Sequence, residues 1–219
     1  MIFAEGETIL KYKVLIILFS IALLLQACRE KTDEEIFYEA QKLIMNLNNY
    51  SCTAEITLYG NKSPETYVMK QWFYAPNKYK LEVKKPERLK GKITIYDGKR
   101  AWIRHPQIGQ EWLMDDFENS VEQKMFLGHF IYNFVSSETG EIKKENMLKK
   151  EYVVLETEIP GNHPYFFKER LWFDIENYYP YRLEVLDQNG KIRIEINYHN
   201  FKYNEEKIKE DIFKIQGNI

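Results

Sequence analysis

Ile192-Arg193-Ile194-Glu195-Ile196-Asn197-Tyr198 carries an apolar side chain at every second position and a polar one between. Side chains point alternately to opposite faces of a β-strand, so this stretch has one buried face and one wet face. That alternation belongs to antiparallel sheets, because strands covered on both sides read as continuous apolar runs. The same period recurs in Ala54, Ile56 and Leu58, set among Thr53, Glu55 and Thr57. It recurs again in Tyr79, Leu81 and Val83, set between Lys80 and Glu82.

Turn chemistry separates these runs. Gly60-Asn61-Lys62-Ser63-Pro64 closes one strand and Ala75-Pro76-Asn77 parts the next two. Asp97-Gly98 stands between Ile93–Tyr96 and Ala101–Ile103, and Gln188-Asn189-Gly190 stands between 181–187 and 191–199. Both read as hairpins, and Asp97-Gly98 is expected to form a two-residue loop with positive φ at both central positions, or at the glycine where a bulge follows. A further turn is expected at Pro160–Pro164. Aromatic residues make up 15% of the chain, a composition suited to strands.

Two segments change to a helical period. Ile36, Phe37, Ala40, Leu43, Ile44 and Leu47 predict a helix over about 33–47, and Thr32 with Glu35 has the spacing of a capping box. Val121, Met125, Phe126, Leu127, Phe130, Ile131 and Phe134 predict a second helix over 119–135, apolar around so much of its girth that it must be buried on more than one side. The charged stretch 138–150 reads as an exposed loop. The order is helix, about six strands, helix, about four strands and a tail. The fold expected is mainly β, a strongly curved antiparallel sheet or incomplete barrel with helices covering its concave side.

The N-terminus carries Lys11 and Lys13, then the twelve apolar-run positions Val14 to Leu25, then Gln26-Ala27-Cys28. A basic flank, a short apolar core and a small residue before the cut form a secretory signal. The run is short of the roughly 20 residues needed to span a bilayer. The division expected is 1–27 signal peptide, 28–32 tether and 33–219 folded domain. A cysteine directly after the small residue resembles the bacterial lipobox, which implies cleavage before Cys28, lipid on Cys28 and an extracytoplasmic, membrane-anchored protein. Cys52 is then left without an internal disulfide partner. A buried thiol and an intermolecular bridge both remain open for it.

Three stretches carry a family resemblance. They are Pro76-Asn77-Lys78-Tyr79-Lys80-Leu81-Glu82, then Ile95-Tyr96-Asp97-Gly98-Lys99-Arg100-Ala101-Trp102-Ile103, then Tyr203 to Ile208 with Asp211-Ile212-Phe213. In this order they resemble the strand, hairpin and closing segment of the LolA/LolB-like lipoprotein carriers. The lipobox and the Lys/Ile/Tyr-rich composition are most similar to the clostridial germination lipoproteins of the GerS type. That resemblance implies a spore-envelope lipoprotein that assists cortex modification, with a CwlD-like N-acetylmuramoyl-L-alanine amidase as partner. It also implies an alternative, a binder of lipid or lipoprotein acyl chains. Pairing of two copies is left open.

No catalytic constellation emerges from the residues. His105, His129, His163 and His199 show no i, i+4 pairing with one another, and His129 reads as a satisfied core histidine. Asp115-Asp116 and Glu205-Glu206 read as solvated turns and caps. Cys52 lacks the flanks of a nucleophile. Trp72, Trp102, Trp112 and Trp172 read as concave-face residues, packed on the helices as core or lining an acyl site. The net charge of −2 gives no electrostatic footprint for nucleic acid. The expectation is a protein with no catalytic, metal or cofactor residues, working by contact, with Tyr59 and Tyr74 on wet strand faces as the partner-binding candidates.

Overall fold

The computed structural model describes residues 31–117, 120–138, 140–147 and 149–215. Cys28 and the expected signal peptide, residues 1–27, lie outside the described residues. The chain divides into two compact units, Met1–Glu35 and Ile36–Ile219. In the first, the capping box is formed in both directions: Thr32 N–H donates to Glu35 Oε2 at 2.9 Å, and Glu35 N–H donates to Thr32 Oγ1 at 3.3 Å. These bonds satisfy amides at the start of α1 (Asp33–Met45) that have no intrahelical partner.

The second unit is built on one antiparallel sheet of eleven strands. They are β1 (Asn49–Leu58), β2 (Glu65–Tyr74), β3 (Lys78–Lys85), β4 (Ile93–Tyr96), β5 (Ala101–His105), β6 (Gln110–Met114), β7 (Glu141–Met147), β8 (Lys150–Glu158), β9 (Lys168–Asp174), β10 (Pro180–Leu186) and β11 (Ile192–Tyr203). Two meanders, β1–β6 and β7–β11, join where β1 pairs with β11, and the sheet ends at β6 on one side and β7 on the other. It is not closed. α2 (Leu127–Ser136) lies in the chain between the meanders, preceded by a single 3₁₀ turn, Gln123–Met125.

The curvature follows from what α2 touches. Ten residues of α-helix span about 15 Å. Yet the ring of Phe126, at the helix cap, stacks 3.9 Å from Tyr79 on β3, while His129 and Asn133 reach Glu169 on β9. Those strands stand five places apart in the sheet, about 24 Å on a flat surface at the usual strand spacing. The sheet must wrap around the helix. Tyr50, Phe73, Leu81, Phe130, Leu155, Leu171, Leu183 and Ile196 fill the concave face, and Ile36, Ala40 and Ile44 of α1 join the same core.

The sequence reading needs four corrections. The stretch 138–150, expected as a loop, holds edge strand β7, so five strands and not four follow the helix. The second helix begins later than expected, at Leu127, and the first ends at Met45. In the 97–98 hairpin, Asp97 N–H donates to the Arg100 carbonyl, so the central pair is Gly98-Lys99 with positive φ (97°) at Gly98 alone. That is the pattern of a turn with glycine at its first central position. Asp97 instead caps the turn, its Oδ1 accepting from the amides of Lys99 and Arg100.

The fourth correction concerns the tryptophans, since none belongs to the concave core. Trp102 and half-buried Trp72 lie on the opposite face with Ile95, under Ile208 and Phe213 of the C-terminal segment. Trp172 packs with Tyr152 and Val154 in another cluster on that face. Trp112 stands exposed on β6. Trp172 lies between Leu171 and Phe173, which point into the core, so strand alternation turns it outward.

Candidate functional site

α2 presents His129 and Asn133, one turn apart, to a single carboxylate. His129 Nδ1 is 2.9 Å from Glu169 Oε1, and Asn133 Nδ2 donates to Glu169 Oε2 at 3.0 Å. Glu169 is wholly buried at a core-facing position of β9. His129 is therefore hydrogen-bonded, as its place in the helix implied, but it is only partly buried and lies at the margin of the core. Gln71, also wholly buried, ties the turn before α2 to β2: its Nε2 donates to the Met125 carbonyl at 3.0 Å. Its Oε1 accepts from Tyr50 Oη at 3.4 Å and lies 3.7 Å from Cys52 Sγ. Burial pushes the Cys52 thiol well above its ordinary range, so it is an inert free thiol in the core.

A cavity of about 380 Å³ opens beside this constellation. Tyr79, Phe126, Gln123, Lys124, His129 and Tyr132 are among its walls. Tyr79 Oη and Gln123 Oε1 are buried with no hydrogen-bond partner. Burial pushes the Lys124 ammonium below its ordinary value, against the pull of Glu169. A second cavity, of about 350 Å³ and mostly apolar, is lined by Leu58, Tyr59, Val121, Phe166 and Ile194.

Tyr59 is half-buried at the rim of this second cavity, just past β1. Tyr74 ends β2 and packs 6.0 Å from Phe213 of the C-terminal 3₁₀ turn, Glu210–Phe213. The β1–β2 register pairs Leu58 with Glu65 and Asn49 with Tyr74, so the two tyrosines lie at opposite ends of the ladder. About 30 Å of strand separates them, and the structure does not bring them together. Asp115 and Asp116 are exposed, while Glu205 accepts a hydrogen bond from Ser51 Oγ. Among the described residues no group of three or more His, Cys, Asp or Glu side chains converges as a metal site, and no helix is long and apolar enough to cross a membrane.

The sheet's two edges differ sharply. β7 presents Glu141, Lys143, Lys144 and Glu145, a charge pattern that discourages further strand pairing. β6 presents Trp112, Leu113 and Met114, exposed by 40%, 37% and 43%, with one side of its backbone unpaired.

Glu169 and Gln71 were legible as anomalies of alternation. Each holds a polar group at the parity of Leu171 and Phe173, or of Met69 and Phe73. The β6 edge carried the weaker signal of three consecutive apolar residues in a short strand.

The scaffold is an unclosed antiparallel sheet wrapped around a helix that polar side chains hold in place. The chain belongs to the YdcC-like sporulation proteins, whose family model matches residues 7–213. Sporulation protein YdcC of Bacillus subtilis is 20% identical over 190 residues, 86% of this chain. The match spans 55% of that relative's length. The structure of the Clostridioides difficile CwlD amidase in complex with the GerS lipoprotein contains a chain 36% identical to this one. The match covers 80% of this chain and 98% of that one, with a TM-score of 0.49. A LolA superfamily protein from Nitrosomonas europaea is 14% identical over 85% of this chain and 99% of its own, with a TM-score of 0.46.

Proposed function

We propose that this protein is a lipoprotein anchored through Cys28 outside the cytoplasmic membrane, which binds a spore cortex N-acetylmuramoyl-L-alanine amidase and raises its activity, catalysing nothing itself. In this reading residues 1–27 are removed, 28–32 form the tether and 33–219 are the working domain. The observation that carries it is sequence likeness: 36% identity, over nearly the whole of a chain solved within an amidase–lipoprotein complex. Membership of a sporulation family supports the setting. The β6 edge supplies the surface we assign to the contact, because an unpaired strand with apolar side chains on both faces can take up a partner's strand. Tyr59, on the rim of the apolar cavity, is a further contact residue. Tyr74 would meet a partner only together with the C-terminal segment that packs on it.

The apolar cavity favours a second reading, a binder of acyl chains. One set of measurements separates the two. Purified protein should form a complex with the cognate amidase, raise its rate and release nothing from peptidoglycan alone. Muramoyl-amide cleavage by the protein alone sinks the first reading, and acyl binding without any effect on the amidase selects the second. Mass spectrometry of membrane-extracted protein should show a diacylglyceryl group on Cys28 and loss of residues 1–27. An unchanged mature mass and membrane fraction in Cys28→Ala would remove the anchor.

A further inference from the structure

Past Tyr203 the chain leaves β11 and crosses the convex face of the first meander. Asn204 makes the bend with a positive φ of 48°. Its amide donates to the Asn49 carbonyl at 2.8 Å, and its side-chain oxygen accepts from the amides of Asn48 and Asn49. Glu205 N–H donates to Asn49 Oδ1 at 2.8 Å, and its carboxylate accepts from Ser51 Oγ. Beyond Glu205 the attachment changes. Among the described residues, no backbone hydrogen bond joins 206–215 to the sheet. The amides of Ile208, Ile212 and Lys214 are satisfied within the segment, by the carbonyls of Glu205, Lys209 and Asp211. What holds it down is the packing of Ile208 and Phe213, with half-buried Ile212 and Ile215, on Trp72, Ile95 and Trp102, and one ion pair, Glu210 with Lys78. Glu210 is 58% exposed, and such a pair stabilises little.

A segment that keeps its own hydrogen bonds on leaving gives up only side-chain packing, so it can open without breaking a strand. Opening uncovers a defined surface. The strand registers set Trp72, Lys80, Ile95, Trp102 and Leu113 opposite one another in turn, one row across β2 to β6. Leu113 stands exposed at the free edge, and Trp102 is tied to that edge strand by its Nε1, which donates to Glu111 Oε2 at 3.3 Å. The row therefore continues the apolar surface of β6 inward, and the C-terminal segment covers its three inner apolar residues. We propose that residues 206–215 are a strap that opens as a unit, apart from the sheet, and that its closed state withholds this row from the amidase at β6. Tyr74, which the closed strap covers with Phe213, is freed in the same step. The withholding rests on the reading of the β6 edge given above; the opening does not.

Hydrogen exchange of the full chain, followed amide by amide, tests the opening. The amides of Ile208, Ile212 and Lys214 should exchange through one shared opening, at least about 100-fold faster than those of β1 and β11 and with little dependence on urea. Exchange of the three only together with the strands would overturn the proposal. Phe213→Asp should hold the strap open and leave exchange in the strands as in wild type. If it does not fold, Ile208→Ser removes a smaller part of the same packing and is measured in its place. A partner that needs the open state has its affinity reduced by the open fraction. The cognate amidase should therefore bind the open variant at least about tenfold more tightly than wild type. Unchanged affinity would overturn the proposal, and so would weaker binding, which would make the strap part of the contact. No complex with either chain overturns the amidase reading and the withheld row together, whereas exchange shared with the strands overturns the strap alone.

Discussion

Gly128, the second residue of α2, sits so close to the ring of Phe73 on β2 that a Cβ there would stand 2.2 Å from Cε2 and 2.7 Å from Cδ2. In an open helix, glycine to alanine gains up to about 1 kcal/mol. Here the ring cannot swing away, because Phe73 is buried and stacked 5.3 Å from Tyr50. Overpacking costs about 1–3 kcal/mol and outweighs the helical gain. Gly128→Ala should therefore lower the melting temperature by several degrees. A rise would mean that the helix does not rest on Phe73.

Gly98 is constrained by its backbone and by its neighbour together. Its φ of 97° is one that β-branched residues avoid, and an added Cβ would lie 2.8 Å from Asn77 Oδ1. Displacing Asn77 would also strain the bond from its Nδ2 to the Gly98 carbonyl, 3.3 Å long. Gly98→Val should destabilise the fold by roughly 1–3 kcal/mol. Lys99→Val, at the next turn position and without positive φ, is the control. Equal denaturant midpoints for the two variants would refute the turn assignment.

Glu156 on β8 couples the outer face to acid. Burial pushes its carboxyl up, but hydrogen bonds from Lys168 Nζ (2.7 Å) and Arg170 Nε (2.9 Å) win and hold it below its ordinary 4.5. A carboxyl depressed on folding contributes stability that is present above its unfolded value and lost as pH falls through the folded one. Glu156→Gln should thus cost stability at pH 7 and progressively less below about pH 4.5. Urea midpoints at pH 7 and pH 3 test this. A penalty of the same size at both would show that the pair of bonds does not favour the charged form.

Much of this architecture can be read where one face of a strand is wet. β1, β3 and β11 announce themselves by alternation, and the Thr32–Glu35 box marks the start of α1 before any coordinates. β7 does not announce itself, because an edge strand protects itself with charge. Lys143 and Lys144 pair with Glu156 and Glu151 of β8, and only Ile142 and Met147 of its seven residues are apolar. The outward tryptophans were misplaced for a different reason. Once both faces of a sheet carry apolar clusters, alternation no longer says which face is the inside. The cavity beside α2 is hidden by distance in sequence, since Tyr79, Gln123 and Lys124 line one space only when the sheet curls around the helix.

The β6 edge yields the prediction closest to function. Trp112 and Met114 pair with Ile103 and Ala101 and so share the concave side, while Leu113 faces outward opposite Trp102. A strand added along the free edge would cover apolar side chains on both faces at once, and tryptophan is a frequent anchor of such contacts. Trp112 and Leu113 are too exposed for their loss to hollow the core, so Trp112→Lys with Leu113→Lys should leave the melting temperature within about 2 °C of wild type. Lysine on an edge blocks strand addition. The variant should lose the amidase complex in a pull-down and lose the stimulation of amidase rate. If it keeps both but shifts from dimer to monomer in sedimentation, the edge serves a second copy of this chain. If complex, rate and oligomeric state all stay as in wild type, β6 is an exposed strand with no partner.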